Sequence, residues 1–126
     1  MQSNNAKPKI ELKHRAYLYA LAIIKFIDVL DKRDLSVVVI SKQLLRSATS
    51  IGANIIEAQA GSTRKDFANF FAYALKSANE RKFWLGLLRD SGNVERESVE
   101  KLFQETAETA NILGSSILTL KGKRKF

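Results

Sequence analysis

Four long stretches of helical periodicity, parted by short polar breaks, predict an all-α protein, an antiparallel up-down-up-down four-helix bundle. Three observations carry that prediction. Apolar residues recur at steps of three and four instead of alternating. The breaks are short and rich in Ser, Gly, Asn and Asp, so consecutive helices must turn back beside one another. The chain has 126 residues and 45% hydrophobic content, the length of one domain with apolar surface for one core.

Taken in order, residues 1–9 are polar and hold the only proline, Pro8, and are expected to be a disordered basic tail. The first helix is expected from about Ile10 to Lys32. Arg33-Asp34-Leu35-Ser36 follows as a loop, with Ser36 suited to an N-cap. The second helix runs from about Val37 to Gln59 on a stripe of Ile40, Leu44, Ala48, Ile51 and Ile55. The β-branched run Val37 to Ile40 would suit a strand alone, but its periodic continuation argues for helix. Ala60-Gly61-Ser62-Thr63 is the next turn, with Gly61 as C-cap and Ser62 or Thr63 as N-cap. Asp66 then complements the dipole at the start of helix three. Helix three reaches about Asp90 on a stripe of Phe67, Phe71, Ala74, Ala78, Leu85 and Leu88. Ser91-Gly92-Asn93 breaks it. Helix four runs from about Val94 to Leu120, its stripe being Val99, Leu102, Phe103, Thr106, Ala110, Leu113, Ile117 and Leu120. The bundle thus occupies residues 10–120, and 121–126 form a basic C-terminal tail.

Two polar stripes interrupt this pattern. Arg46, Ser50, Asn54 and Glu57 share a face of helix two; Asp66, Asn69, Tyr73, Lys76 and Glu80 share a face of helix three. A hairpin folded symmetrically about Gly61 and Ser62 sets Asn54 against Asn69 and Ser50 against Tyr73, with Arg46 within a turn of Glu80. The expectation is a buried, satisfied polar network that specifies one arrangement of helices. Glu57, Glu80, Asp66 and Arg46 also make a formal acid–base set. No nucleophile, metal set or phosphate loop accompanies them, so the structural role is preferred.

Ser50-Ile51, Asn54-Ile55 and Glu57, preceded by Arg46 and followed by Asp66-Phe67 and Phe70, resemble the signature of the four helix bundle protein family. That family includes the intervening-sequence proteins encoded within large-subunit ribosomal RNA genes. A relative is the accessory variability protein of diversity-generating retroelements. The resemblance covers roughly residues 12–120. It implies a bundle assembled into a homopentameric ring, no catalytic activity, and binding of nucleic acid. The retroelement relative implies a reverse transcriptase as a further partner.

Assembly is also indicated by the pattern itself. Phe83, Trp84 and Leu87 fall off the stripe of helix three, and between Ala16 and Leu30 the only charges are Lys25 and Asp28. Apolar groups on a second helix face mark an interface. By pattern alone a dimer is favoured, the commonest symmetric state; the ring of five rests on the resemblance.

Charge locates the candidate binding surface. The net charge is +8, of which residues 1–15 carry +3 and residues 121–126 carry +4, leaving +1 on the 105 residues between. An up-down-up-down course brings both ends of the bundle and the Gly61 turn to one pole. Lys7, Lys9, Lys13, Arg15, Arg64, Lys65, Lys121, Lys123, Arg124 and Lys125 then converge as a nucleic-acid surface, for which RNA is the expected ligand. A flexible solubilising tail is the rival account of residues 121–126. Tyr17 and Tyr19 lie near this pole, with base stacking and bundle packing both open to them. Gly61 to Lys65 lacks the spacing and preceding strand of a phosphate loop.

No cysteine is present, so disulfides and thiolate metal sites are excluded. One histidine, His14, cannot furnish the paired Glu-x-x-His motifs of a bundle di-metal site, so neither metal nor cofactor is expected. MQSNNAKPK has no apolar run behind its charges, and the window Ala16 to Leu30 is shorter than the roughly 20 residues of a membrane span. A cytoplasmic protein without a membrane partner is expected.

Overall fold

The computed structural model describes residues 11–60, 63–92 and 94–124, the side chains of residues 123 and 124 excepted. These residues form four helices: α1 (Leu12–Asp28), α2 (Leu35–Ala60), α3 (Arg64–Ser91) and α4 (Arg96–Arg124). Each packs on the next along the chain. Cross-helix bonds fix the directions. Ser50 meets Ser77 while Arg46 meets Glu80, and Arg15 meets Glu105 while Tyr19 meets Leu102, so both pairs of helices run antiparallel. No helix among the described residues is long and apolar enough to cross a membrane.

The helix ends follow local chemistry. α1 stops at Asp28, four residues before the expected Lys32. Lys32 caps that end. Its ammonium donates to the carbonyls of Ile27 at 2.7 Å and of Asp28 and Leu30 at 3.2 Å, satisfying carbonyls left open at a helix end. α2 begins at Leu35, with the Asp34 carbonyl accepting from Val38 N–H; Ser36 is therefore inside the first turn and not the cap. Thr63 caps α3, its hydroxyl accepting from Asp66 N–H at 3.0 Å. Gly92 closes α3 in the left-handed conformation at φ 80°, which glycine adopts without a Cβ clash. Gly61, Ser62 and the N-terminal residues 1–10 lie outside the described residues. α4 continues to Arg124, past the expected Leu120. Basic residues favour a helix C-terminus, and one glycine at 122 costs only about 1 kcal/mol. The first part of the C-terminal basic segment is thus helical, not a separate tail.

The core stripes of α2, α3 and α4 are buried much as their periodicity predicts. They form two clusters. Near the pole of the α2–α3 turn lie Ala16, Ile51, Ile55, Ala58, Phe71, Ala74, Ala78, Ala110 and Leu113; small alanines there let the helices approach closely. Towards the other pole lie Tyr19, Ile23, Val37, Ile40, Leu44, Ala48, Leu85, Leu88 and Val99. In sequence position along α3 and α4, Arg81 and Thr106 fall at the boundary between the clusters, and both are buried. Ser47 is buried within the second cluster, its hydroxyl donating to the Leu44 carbonyl of its own helix.

Arg81 is the unexpected member. It occupies the place that the apolar stripe of α3 leaves between Ala78 and Leu85, and it is 1% exposed. Its guanidinium carbon lies 3.8 Å from the centroid of the Tyr19 ring, a cation–π contact. Burial pushes its pKa down to about 10. Burial likewise pushes the Tyr19 phenol up. That hydroxyl bonds to the Thr106 hydroxyl and donates to the Leu102 carbonyl at 3.1 Å.

Candidate nucleic-acid interface

The antiparallel course places the start of α1, the α2–α3 connection and the end of α4 at one pole. Lys13, Arg64, Lys65 and Lys121 are exposed there, and none of them is in an ion pair with another described residue. Charged groups without partners are free to neutralise phosphates. His14 is exposed beside Lys13. Lys7, Lys9 and Lys125 lie outside the described residues, as do the side chains of Lys123 and Arg124.

Arg15 does not belong to this free set. Its Nε donates to Glu105 at 2.7 Å, and its Nη2 donates to Glu105 at 3.2 Å and to Glu108 at 2.5 Å. The Glu105 and Glu108 carboxylates hold its pKa well above the usual arginine value. A guanidinium already satisfied by two carboxylates is a strut from α1 to α4. Of the two tyrosines, Tyr19 packs in the core whereas Tyr17 is 62% exposed on the α1 surface.

The α2–α3 polar seam is present but shifted and shallower than expected. Ser50 meets Ser77 at 2.9 Å, one turn beyond Tyr73. Arg46 donates to Glu80 at 2.8 Å, as the spacing predicted, and also to Gln43. Asn54 does not reach Asn69. It turns back on its own helix, donating to the Ser50 carbonyl at 2.8 Å and to the Ser50 hydroxyl at 3.3 Å. Glu57, Asp66 and Asn69 are exposed, and Tyr73 is 59% exposed. The physical cause is register. The midpoint of the hairpin is set by how the α2 and α3 side chains interlock, not by the centre of the turn, and that places Tyr73 and Asn69 on the outer surface. The four ionisable groups of the formal acid–base set are therefore not gathered: only Arg46 and Glu80 touch.

The off-stripe aromatics divide. Phe83 is 59% and Leu87 42% exposed. Trp84 is half-buried against the core cluster remote from the α2–α3 turn, with its indole N–H donating to Glu80 at 3.3 Å and Phe83 edge-on at 5.0 Å. It covers the core more than it presents a second face. Helix α1 does present one, through Tyr17, Leu18, Leu21 and Ile24.

Next to that face, α1 and α4 stand apart over a groove of about 760 Å³ lined by Leu12, Leu18, Tyr19, Leu102 and Ile112, with Arg15, Lys101 and Glu105 along it. The pole remote from the basic one carries a mixed network in which Arg89 donates to Asp90 at 3.1 Å and to Glu100 at 3.2 Å and lies 5.0 Å from the Phe103 ring. Among the described residues no group of three or more His, Asp or Glu side chains is placed to hold a metal ion.

Sequence reasoning missed Arg81 and Glu105. The signal for Arg81 was available: Phe67, Phe71, Ala74, Ala78, Leu85 and Leu88 keep a strict alternation of four and three only if residue 81 is included. Nothing in the α4 sequence marks Glu105 over its acidic neighbours.

Comparison with known proteins agrees with this architecture. A family model described as 23S rRNA-intervening sequence protein matches residues 8–115. A crystal structure of a protein of unknown function from the S23 ribosomal protein family, from Bacteroides thetaiotaomicron, is similar to the chain. The two are 38% identical, with a TM-score of 0.77, over 85% of this chain and 98% of that one. No curated protein matches the sequence.

Proposed function

The chain belongs to the 23S rRNA-intervening sequence protein family, and from that premise we propose that it is a non-enzymatic, oligomeric helical bundle that binds nucleic acid, RNA in the first instance, through its basic pole. The observation that carries the reading is convergence. Lys13, Arg64, Lys65 and Lys121 come from three separated parts of the chain, meet at one pole, and have no described acidic partner. In sequence, Lys7 and Lys9 precede α1, Lys123 and Arg124 end α4, and Lys125 follows it. Residues 16–120 together carry only +1, so most of the positive excess belongs to the two ends of the sequence. Such binding neutralises phosphates, tolerates different sequences and weakens steeply with salt. A ring of five copies would multiply the contacts and raise avidity.

The test is a titration of single-stranded and duplex RNA at several salt concentrations, with the full chain and with residues 121–126 removed. The segment carries four cations. Removing it is expected to lower the slope of log K against log salt by up to about three for a single strand. Tail-independent affinity that ignores salt would refute the electrostatic pole. Native mass spectrometry tests the pentamer.

A second reading is favoured by the apolar face of α1 with Phe83 and Leu87 on α3: a protein-interaction adaptor, such as an accessory subunit of a reverse transcriptase. Recovery of a polymerase from native lysate after nuclease treatment supports it. Loss of every partner on nuclease treatment returns the case to nucleic acid.

A further inference from the structure

The middle of the bundle holds a charge mismatch. Arg15 of α1 takes two carboxylates of α4, Glu105 and Glu108, through three hydrogen bonds. Arg81, deeper in the core, takes none: its Nε and Nη1 are buried without a hydrogen-bond partner. Two guanidinium nitrogens this deep without an acceptor are strongly disfavoured, and the stack on Tyr19 relieves only part of that cost. The carboxylate whose charge acts on both Arg81 and Tyr19 is Glu105. The connection is also physical. Glu105 precedes Thr106 on α4, the Thr106 hydroxyl bonds the Tyr19 hydroxyl, and the Tyr19 ring lies against Arg81. The Glu105 side chain is one-third exposed, at the edge of the α1–α4 groove, and so has room to change rotamer.

We propose that Glu105 is shared between the two arginines: it answers Arg15 when α1 is drawn onto α4, and turns inward to Arg81 in a second arrangement in which Glu108 alone holds Arg15. The exchange satisfies the core at the expense of the seam. Three hydrogen bonds between Arg15 and α4 fall to the single one from Glu108. The groove runs along that same seam, so its width is coupled to which arginine holds the carboxylate. Lys101 also lines the groove and is the other cation beside Glu105 on α4. Anything that wedges α1 outward shifts the population towards the Arg81 pair.

The test uses arginine side-chain nitrogen-15 NMR on the full chain. Arg15→Gln releases Glu105 at a partly exposed site. The expected result is that exchange of the Arg81 Nε–H with water slows at least tenfold, with a scalar coupling across a hydrogen bond to the Glu105 carboxyl carbon. Adding Glu105→Gln should abolish both effects. A strut with no second role predicts the opposite sign, because losing Arg15 would loosen α1 and speed the exchange of Arg81. Unchanged or faster exchange therefore overturns the proposal. Should Arg15→Gln not fold, Arg15→Lys replaces it, because an ammonium keeps the charge but cannot reproduce the fork that holds Glu105. Slower exchange of the Arg81 Nε–H in that variant supports sharing, and unchanged or faster exchange overturns it.

Discussion

The α2–α3 seam and the α1–α4 seam solve the same problem differently. Between α2 and α3 the interior is apolar and tight, built on Ile51, Ile55, Ala58, Phe71, Ala74 and Ala78, and the polar groups lie on the outer edge where water completes them. Between α1 and α4 the order is inverted. Charged and hydroxyl groups bridge the helices at Arg15 and Tyr19, an apolar groove stays open beside them, and a cation lies behind. α1 is also the shortest helix, at 17 residues against 26 to 29 for the others, so it has the least area with which to close its seam. Tight packing gives stability; a polar, gapped seam gives a place where the bundle can yield.

The largest effects should separate the seams by truncation. Ile55→Ala is expected to cost about 2–5 kcal/mol, because Ile55 is fully buried and its neighbours cannot collapse into the cavity. Leu18→Ala, on the groove and 45% exposed, should cost under about 1 kcal/mol. Urea unfolding followed by circular dichroism measures both. Equal losses would mean that the groove is closed in solution and the contrast is empty.

Next in size is Arg81→Met. It removes a buried, unpaired cation and returns an unbranched apolar chain to the stripe of α3. Stability should rise by about 1–3 kcal/mol, less whatever the Tyr19 contact contributed. A large destabilisation would show that Arg81 is paired most of the time. Tyr19→Phe should cost only about 1 kcal/mol, because Thr106 retains its own acceptor, the Leu102 carbonyl at 2.8 Å.

These contrasts also explain what could be read before the structure. The tight seam was legible because α2 buries Ile40, Leu44, Ala48, Ile51 and Ile55 at helical steps, and burial of that kind is written in the period. Thr63 was legible as one of two cap candidates, and Gly92 as part of a break, because their chemistry is local. The register of the polar seam was not. A shift of one turn preserves every intrahelical pattern, and only the interlocking of two surfaces chooses between Tyr73 and Ser77 as the neighbour of Ser50. Arg15 illustrates the same limit for the site. Its type and position mark it as one more cation of the basic pole, yet its state is decided by Glu105 and Glu108, some ninety residues away. Lys13 and Lys65 kept their expected exposure because nothing distant claims them.

The smallest expected effect concerns the mixed pole, where charges face water as well as each other. Arg89 holds Asp90 below the usual carboxylate range by hydrogen bonding, while Gln104 and then Arg89 do the same for Glu100. A carboxylate whose folded pKa is depressed binds protons less readily than it does in the unfolded chain. Its contribution to stability is therefore complete above the usual range near pH 4 and is lost as pH falls through the folded values. Arg89 also touches Phe103, and that contact does not depend on carboxylate protonation. Arg89→Gln should thus open a small stability gap at pH 7 that narrows, without closing, as pH falls below the usual carboxylate range, and raised salt should shrink the part that titrates. Urea midpoints of both proteins at pH 7 and pH 3 decide it. A gap that is the same at both values assigns the stabilising effect of Arg89 to its contact with Phe103 alone.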